Sequence, residues 1–295
     1  MGANVILDRS GTIVSGAFFE FVVEPDMMLL GELADCPDGV LSRLNPPPDE
    51  FRNLEEEWLR AQLVGHWSRR EFRECPANPE HVTRVSWENL VVELDGGPHV
   101  PDVFEVLGGD AHHSVLVSPA FATALRATAF NGYGLTTVRL SSPPKKAAFK
   151  KIEHLQFSGR PCLRPLSIVG HPNLCPWCLS NEIVCQSCGM RFWRCPNCRK
   201  WPWVAAKNKK AGDKYLVMSP LASLRPSIIE GHRWDGSDFI YGGLDIGHYA
   251  PIVTKRVLEW MLSRHTMSFF ARPVNIATEK MNPEQLARLE ETTAF

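Results

Sequence analysis

The chain has 295 residues, 44% of them apolar, and a formal net charge of −1, enough to bury a sizeable core and to form two domains or one domain with an insertion. No stretch approaches the roughly eighteen apolar residues that cross a bilayer. The start of the chain lacks a charged secretion n-region, and Met1-Gly2 is followed by Ile6 where a myristoylation signal needs Ser or Thr, so the expectation is a soluble, cytoplasmic protein with no membrane partner.

Charge is segregated along the chain. Residues 1–143 carry ten Lys/Arg against twenty-one Asp/Glu, residues 144–214 fourteen against three, and residues 215–295 eight against nine. A basic block of that density attracts acidic partners, whether nucleic acid, anionic lipid or the acidic half of the same protein.

Residues 15–24 cluster apolar side chains as a strand does and close at Glu24-Pro25-Asp26. After the rigid Asn45-Pro46-Pro47-Pro48, Asp49 can cap a helix with Phe51, Leu54, Trp58 and Leu63 on roughly one face. Residues 82–107 read as short strands broken at Asp95-Gly96-Gly97-Pro98 and Gly108-Gly109. Val117-Ser118 then leads into Phe121 and Leu125, followed by Leu135 and Val138. The same pattern returns later, without a gap and at one constant offset, as Val253-Thr254, Val257 and Met261, then Ala271 and Val274. In each copy a short strand runs into a Ser or Thr able to N-cap a helix of about three turns, and a second strand follows. The chain closes with Asn282-Pro283-Glu284, an N-cap with proline at the first helical position, ahead of Leu286 and Leu289. The fold class expected is α+β: two related strand–helix–strand halves, at 1–143 and 215–295, separated by a small zinc-ribbon-like insertion at 144–214. The insertion is bracketed by Ser141-Ser142-Pro143-Pro144 and Lys207-Asn208-Lys209-Lys210-Ala211-Gly212.

Three Cys-x-x-Cys pairs fall within that insertion: Cys175/Cys178, Cys185/Cys188 and Cys195/Cys198. Such a turn converges two sulfurs on one cation, and two turns complete a tetrahedral thiolate shell for zinc. The first and third pairs have zinc-ribbon spacing. Gly189 follows the middle pair, where a knuckle turn often needs positive φ. The six thiolates divide in more than one way. If the first and third pairs share a zinc, the middle pair needs further ligands, for which Cys162, His171 and His154 are the nearest candidates; alternatively two adjacent pairs form the site and the third stays free. A closed four-sulfur shell leaves no position for water or substrate, so one or two structural Zn²⁺ ions are expected. Without a secretion signal a disulfide cluster is disfavoured.

The run Trp234-Asp235-Gly236-Ser237-Asp238-Phe239, then Val253-Thr254-Lys255-Arg256-Val257, then Phe269-Phe270-Ala271-Arg272-Pro273-Val274, resembles the end of bacterial immunity-type proteins of the double-CxxCG family, linked in myxobacteria to swarming inhibition. The likeness covers about the last sixty residues well. It departs from the family pattern in that only Cys185-Cys188-Gly189 is a Cys-x-x-Cys-Gly and the cysteine pairs are consecutive. The resemblance implies a non-enzymatic interaction protein whose partner is a toxin. An acidic first half suits a basic toxin by charge complementarity.

The rival reading is a nucleic-acid-binding zinc ribbon. Arg191, Arg194, Arg199 and Lys200 interleave with Trp193 and Trp201, a mixture of phosphate partners and stacking faces that single strands use. The same tryptophans also suit the small core that a ribbon needs. For catalysis, His112-His113, His232, His248 and His265 with Asp235, Asp238 or Asp245 show no spacing that a known mechanism demands. Asp235 and Asp238 are expected to cap local backbone N–H groups rather than bind a cation.

Overall fold

The computed structural model describes residues 6–7, 13–23, 40–41, 59–64, 68–73, 79, 84–96, 100–107, 114–142, 151–160, 163–164, 228–241, 251–266 and 269–293. They form an α+β protein of two curled sheets, a separate two-stranded sheet of Ser68–Phe72 and Arg84–Glu88, and three α-helices: α1 at Pro119–Arg126, α2 at Lys255–Ser263 and α3 at Pro283–Thr293. The six expected zinc cysteines, Cys162, His171 and the basic aromatic stretch Arg191, Trp193, Arg194, Arg199, Lys200 and Trp201 lie outside the described residues.

The first sheet runs Tyr133–Thr137, Glu153–Phe157, Val115–Val117, Val103–Leu107, Leu59–Leu63, Val91–Gly96 and Arg139–Leu140. Its first and last strands are consecutive in the chain, so the sheet curls back on itself around an interior of Ala61, Val92, Phe104, Leu116 and Val138. The second sheet has as its main path Leu163–Arg164, Ile228–Glu230, Phe269–Ala277, Ile13–Val23, Ile252–Thr254 and Phe239–Ile240. Within the Ile13–Val23 strand, the adjacent Phe18 and Phe19 are buried on opposite faces. Phe18 joins a cluster with Trp234, Ile252 and Leu289, while Phe19 joins the largest core cluster. Glu20, nearly buried, is paired with the Arg272 guanidinium across the strand pair.

That largest cluster draws on both sheets and on both of the first two helices: Val103, Val117 and Leu155 with Phe121 and Leu125 from α1, and Phe19, Phe239 and Val253 with Val257 and Met261 from α2. Each helix therefore packs where the repeat pattern placed its apolar side chains. The helices are shorter than expected, eight and nine residues.

The repeat extends to strand register. Val103 faces Val117 and Phe104 faces Leu116; at the same offset along the chain, Phe239 faces Val253 and Ile240 faces Ile252. Val117 then faces Glu153 as Val253 faces Phe19, and Leu135 faces Leu155 as Ala271 faces Phe21. Both units thus have the same four antiparallel strands with one helix. The slot filled in the first unit by the local Glu153–Phe157 is filled in the second by Ile13–Val23, from the opposite end of the chain. Pairing also continues past the expected break at 143, through Glu153–Phe157 and on to Leu163–Arg164, which pairs with Ile228–Glu230.

One element is corrected. The helix expected from Asp49 through Leu63 does not reach its end: Leu59–Leu63 is a strand, parallel to Val103–Leu107 on one side and antiparallel to Val91–Gly96 on the other. Within it Ala61 is fully buried, Leu63 packs on the same core, and the intervening Gln62 is exposed, a period of two that the spacing of Leu54 and Trp58 masks.

Candidate functional site

The two units meet at the turn Trp234–Asp238, the segment that carries the family resemblance. Gly236 sits at φ +85°, which lets the chain reverse. Asp235 accepts the Ser237 N–H through Oδ1 at 3.0 Å and the Arg160 N–H through Oδ2 at 2.9 Å; the Trp234 indole donates to the Ser237 carbonyl at 2.9 Å. From α3, Gln285 Nε2 donates to the His232 and Trp234 carbonyls, and Arg288 donates to the Asp235 carbonyl. The turn is held from both sides.

Asp238, 1% exposed, is its centre. Arg256 approaches with Nε on Oδ1 and Nη2 on Oδ2, each at 2.5 Å. The Thr254 hydroxyl donates to Oδ1 at 2.9 Å, and the Asn131 N–H donates to Oδ2 at 3.0 Å. In return the Asp238 N–H donates to the Asn131 side-chain oxygen at 3.0 Å. Burying a carboxylate is costly unless donors fill its lone pairs; here one Arg, one hydroxyl and one backbone N–H do so. Arg256 also lies over the Phe130 ring, whose neighbour Trp260 carries Arg264 on its own face.

The expectation that Asp235 caps backbone is met. Asp238 does more, joining Asn131 of the first unit to Thr254 and Arg256 of the second. Thr254 occupies the N-cap position of α2 without a side-chain cap, and its hydroxyl donates to Asp238. Ser118, its counterpart, does cap α1, accepting the Phe121 N–H at 3.1 Å while its hydroxyl donates to Asp102 at 3.3 Å. Asp102 and Asp238 are related by the same offset as the two helices, and Ser118 and Thr254 each donate their backbone N–H to the carbonyl of their own aspartate at 3.0 Å. Ala120 stands where the second unit has Arg256. Without a guanidinium so placed, burial raises the Asp102 carboxyl above its ordinary value, against the Ser118 hydrogen bond and the charge of Arg264.

The close fit at this junction depends on two glycines. A Cβ on Gly132, at φ +79°, or on Gly159 would come within 2.6 Å of the Ser237 Cβ. Gly159 also donates to the Phe239 carbonyl at 3.0 Å and accepts from the Tyr241 N–H at 3.1 Å.

His154, an expected alternative zinc ligand, lies in the interior of the first sheet, 5% exposed, its imidazole bonded to the Trp87 backbone and its Nδ1 without a partner. Burial lowers its pKa to about 4. His232 is a partly exposed turn residue 3.8 Å from Glu230, its pKa lowered by burial and by Arg233. His265 is exposed at φ 57° and ends α2 by donating its N–H to the Leu262 carbonyl. His112, His113, His248 and Asp245 lie outside the described residues. Among the described residues no group of three or more His, Cys, Asp or Glu side chains could hold a metal ion, and no helix is long and apolar enough to cross a membrane.

Sequence reasoning missed Asn131, Arg256 and the interior position of His154. A signal existed for Arg256 alone: a cation in the first turn of α2, where the helix dipole disfavours it, points to a specific acidic partner. Comparison with protein-family models, curated proteins and solved structures finds no match to this chain.

Proposed function

We propose that the chain is a non-enzymatic, zinc-containing interaction protein of the immunity type, which binds and neutralises a cognate toxin in the cytoplasm. In this reading two related halves form the body, and a basic zinc-ribbon-like module with one or two structural Zn²⁺ ions is inserted between them. Cys175, Cys178, Cys195 and Cys198 form the leading shell, with Cys185 and Cys188 in a second or alternative one. Cys162 and His171 are the additional donors. The observation that carries the reading is the use made of Trp234–Asp238. The residues that resemble the immunity family tie one unit to the other, and both aspartates spend their oxygens on backbone, hydroxyl and guanidinium donors. A body built twice from one unit also accords with the two-module look of that family.

The second reading, a nucleic-acid-binding zinc ribbon, is favoured by the alternation of Arg191, Trp193, Arg194, Arg199, Lys200 and Trp201. Salt separates the two. A dedicated binder engaging about five phosphates holds single strands at physiological salt, with affinity falling steeply as salt rises, and weakens in Trp201→Ala. Under the interaction reading, binding to a single-stranded oligonucleotide disappears near physiological ionic strength, where charges are screened beyond about 8 Å, and Trp201→Ala costs stability instead. Micromolar binding that persists there and is lost in a stably folded Trp201→Ala protein would establish the nucleic-acid reading.

A further inference from the structure

Among the described residues the four strands of the two units agree in register, but the outer edges of Phe269–Ala277 and Tyr133–Thr137 differ. In the second unit Phe269–Ala277 has Ile13–Val23 on its inner side. On its outer side Ile228–Glu230 runs parallel to Asn275–Ala277, and Val40–Leu41 runs antiparallel to Phe270–Ala271. In the first unit the equivalent chain has Glu153–Phe157 on its inner side, and Val91–Val92 runs parallel to Arg139–Leu140. Among the described residues Val40–Leu41 has no counterpart there, and no strand lies along the outer edge of Tyr133–Thr137.

The sequence of this edge does not guard it. The Ser158 N–H donates to the Gly132 carbonyl, which sets the phase of the ladder: 134 and 136 bond inward, and the backbone N–H and C=O groups of Tyr133, Leu135 and Thr137 point outward. Edges are usually blunted by charge, proline or a bulge. Tyr133-Gly134-Leu135-Thr136-Thr137 has none, whereas its covered twin carries Arg272, Pro273 and a register shift between Val274 and Ile276. Thr136, whose counterpart Arg272 is half-buried, is exposed here although it faces the side of the sheet that holds buried His154.

Resting on the protein-partner reading above, we infer that this slot takes a short, extended aliphatic segment of the partner protein, antiparallel to Tyr133–Thr137, by strand addition. The occupant's chemistry follows from the twin, where an uncharged Val-Leu pair fills the same place.

The test uses the full chain and a capped peptide of residues 37–44, which contains Val40-Leu41 and no cysteine. Hydrogen exchange followed by NMR should find the Leu135 amide unprotected in the free chain and slowed on titrating the peptide to millimolar concentration. N-methylation of the peptide at Val40, which cannot unfold the protein, should weaken binding about tenfold, as should Leu135→Pro. Thr137→Pro should bind the peptide normally, because Pro273 stands at the equivalent place beside a filled slot. Absence of slowing at millimolar peptide, or equal binding of the N-methylated peptide, would overturn the inference. So would a Leu135 amide already protected in the free monomer, which means the chain fills its own slot. Concentration-dependent dimerisation abolished by Leu135→Pro would also overturn it, by assigning the slot to a second copy. The peptide requires no cognate partner, so a slot that fails here leaves the immunity reading standing, whereas a chain that binds the peptide but captures no protein removes that reading and, with it, the partner segment as occupant.

Discussion

Acidification should expose the cost of burying His154. Its pKa is lowered from 6.5 to about 4 inside the sheet by burial, which the hydrogen bond to Trp87 only partly opposes. Between those values the unfolded chain takes up a proton that the folded chain refuses, so stability is complete above about pH 6.5 and falls as pH drops toward 4. Each pKa unit corresponds to about 1.4 kcal/mol. The full window is therefore worth about 3 kcal/mol, and about 2 kcal/mol is lost by pH 5. The group is inaccessible, so solvent screening takes little from this figure. His154→Leu keeps the volume and removes the titration. Denaturant unfolding of both proteins at pH 7 and pH 5 isolates the effect, because protonation of carboxylates and thiolates is common to both. Wild type should lose about 2 kcal/mol more than the variant. Equal losses would refute the interior, uncharged placement of His154.

Asp238→Ala leaves the Arg256 guanidinium and the Thr254 hydroxyl without their acceptor and should cost about 3–5 kcal/mol, read by denaturant titration; a loss under about 1 kcal/mol, the worth of an exposed pair, would mean that it is not holding the units together. Gly159→Ala places a methyl group against Ser237 and the Phe239 backbone and should cost about 1–3 kcal/mol, measured the same way. Elemental analysis of protein purified without added metal should find one or two zinc ions per chain, and Cys178→Ser should lose amide protection within the cysteine segment while the two units retain theirs, since metal affinity in such modules is folding free energy of about 10 kcal/mol or more.

What could be read in advance was what local pattern encodes. Asn282 and Gln285 bond each other's backbone N–H reciprocally at 2.9 and 3.0 Å, the capping arrangement expected before a proline-started helix. The strand–helix–strand pattern, recurring at a fixed offset, located the core that the two units share, because Phe121, Leu125, Val257 and Met261 are buried in it at helical spacing on each helix. Non-local pairing was hidden. Nothing within Ile13–Val23 says that it completes a unit whose other strands lie at the far end of the chain, since a largely apolar strand fits any sheet covered on both faces. Leu59–Leu63 misled for a related reason: a short strand next to Leu54 and Trp58 satisfies a helical spacing by accident, and only its two neighbours in the sheet decide the matter. Asp238 was recognisable as a turn residue, but its union with Asn131 and Arg256 is a property of two surfaces meeting.

The measurement closest to the central claim is affinity capture with the full-length chain from its source cell, with and without nuclease treatment. A proteinaceous partner retained after nuclease is the predicted result. Recovery of nucleic acid alone, with every associated protein lost on nuclease treatment, would contradict the account.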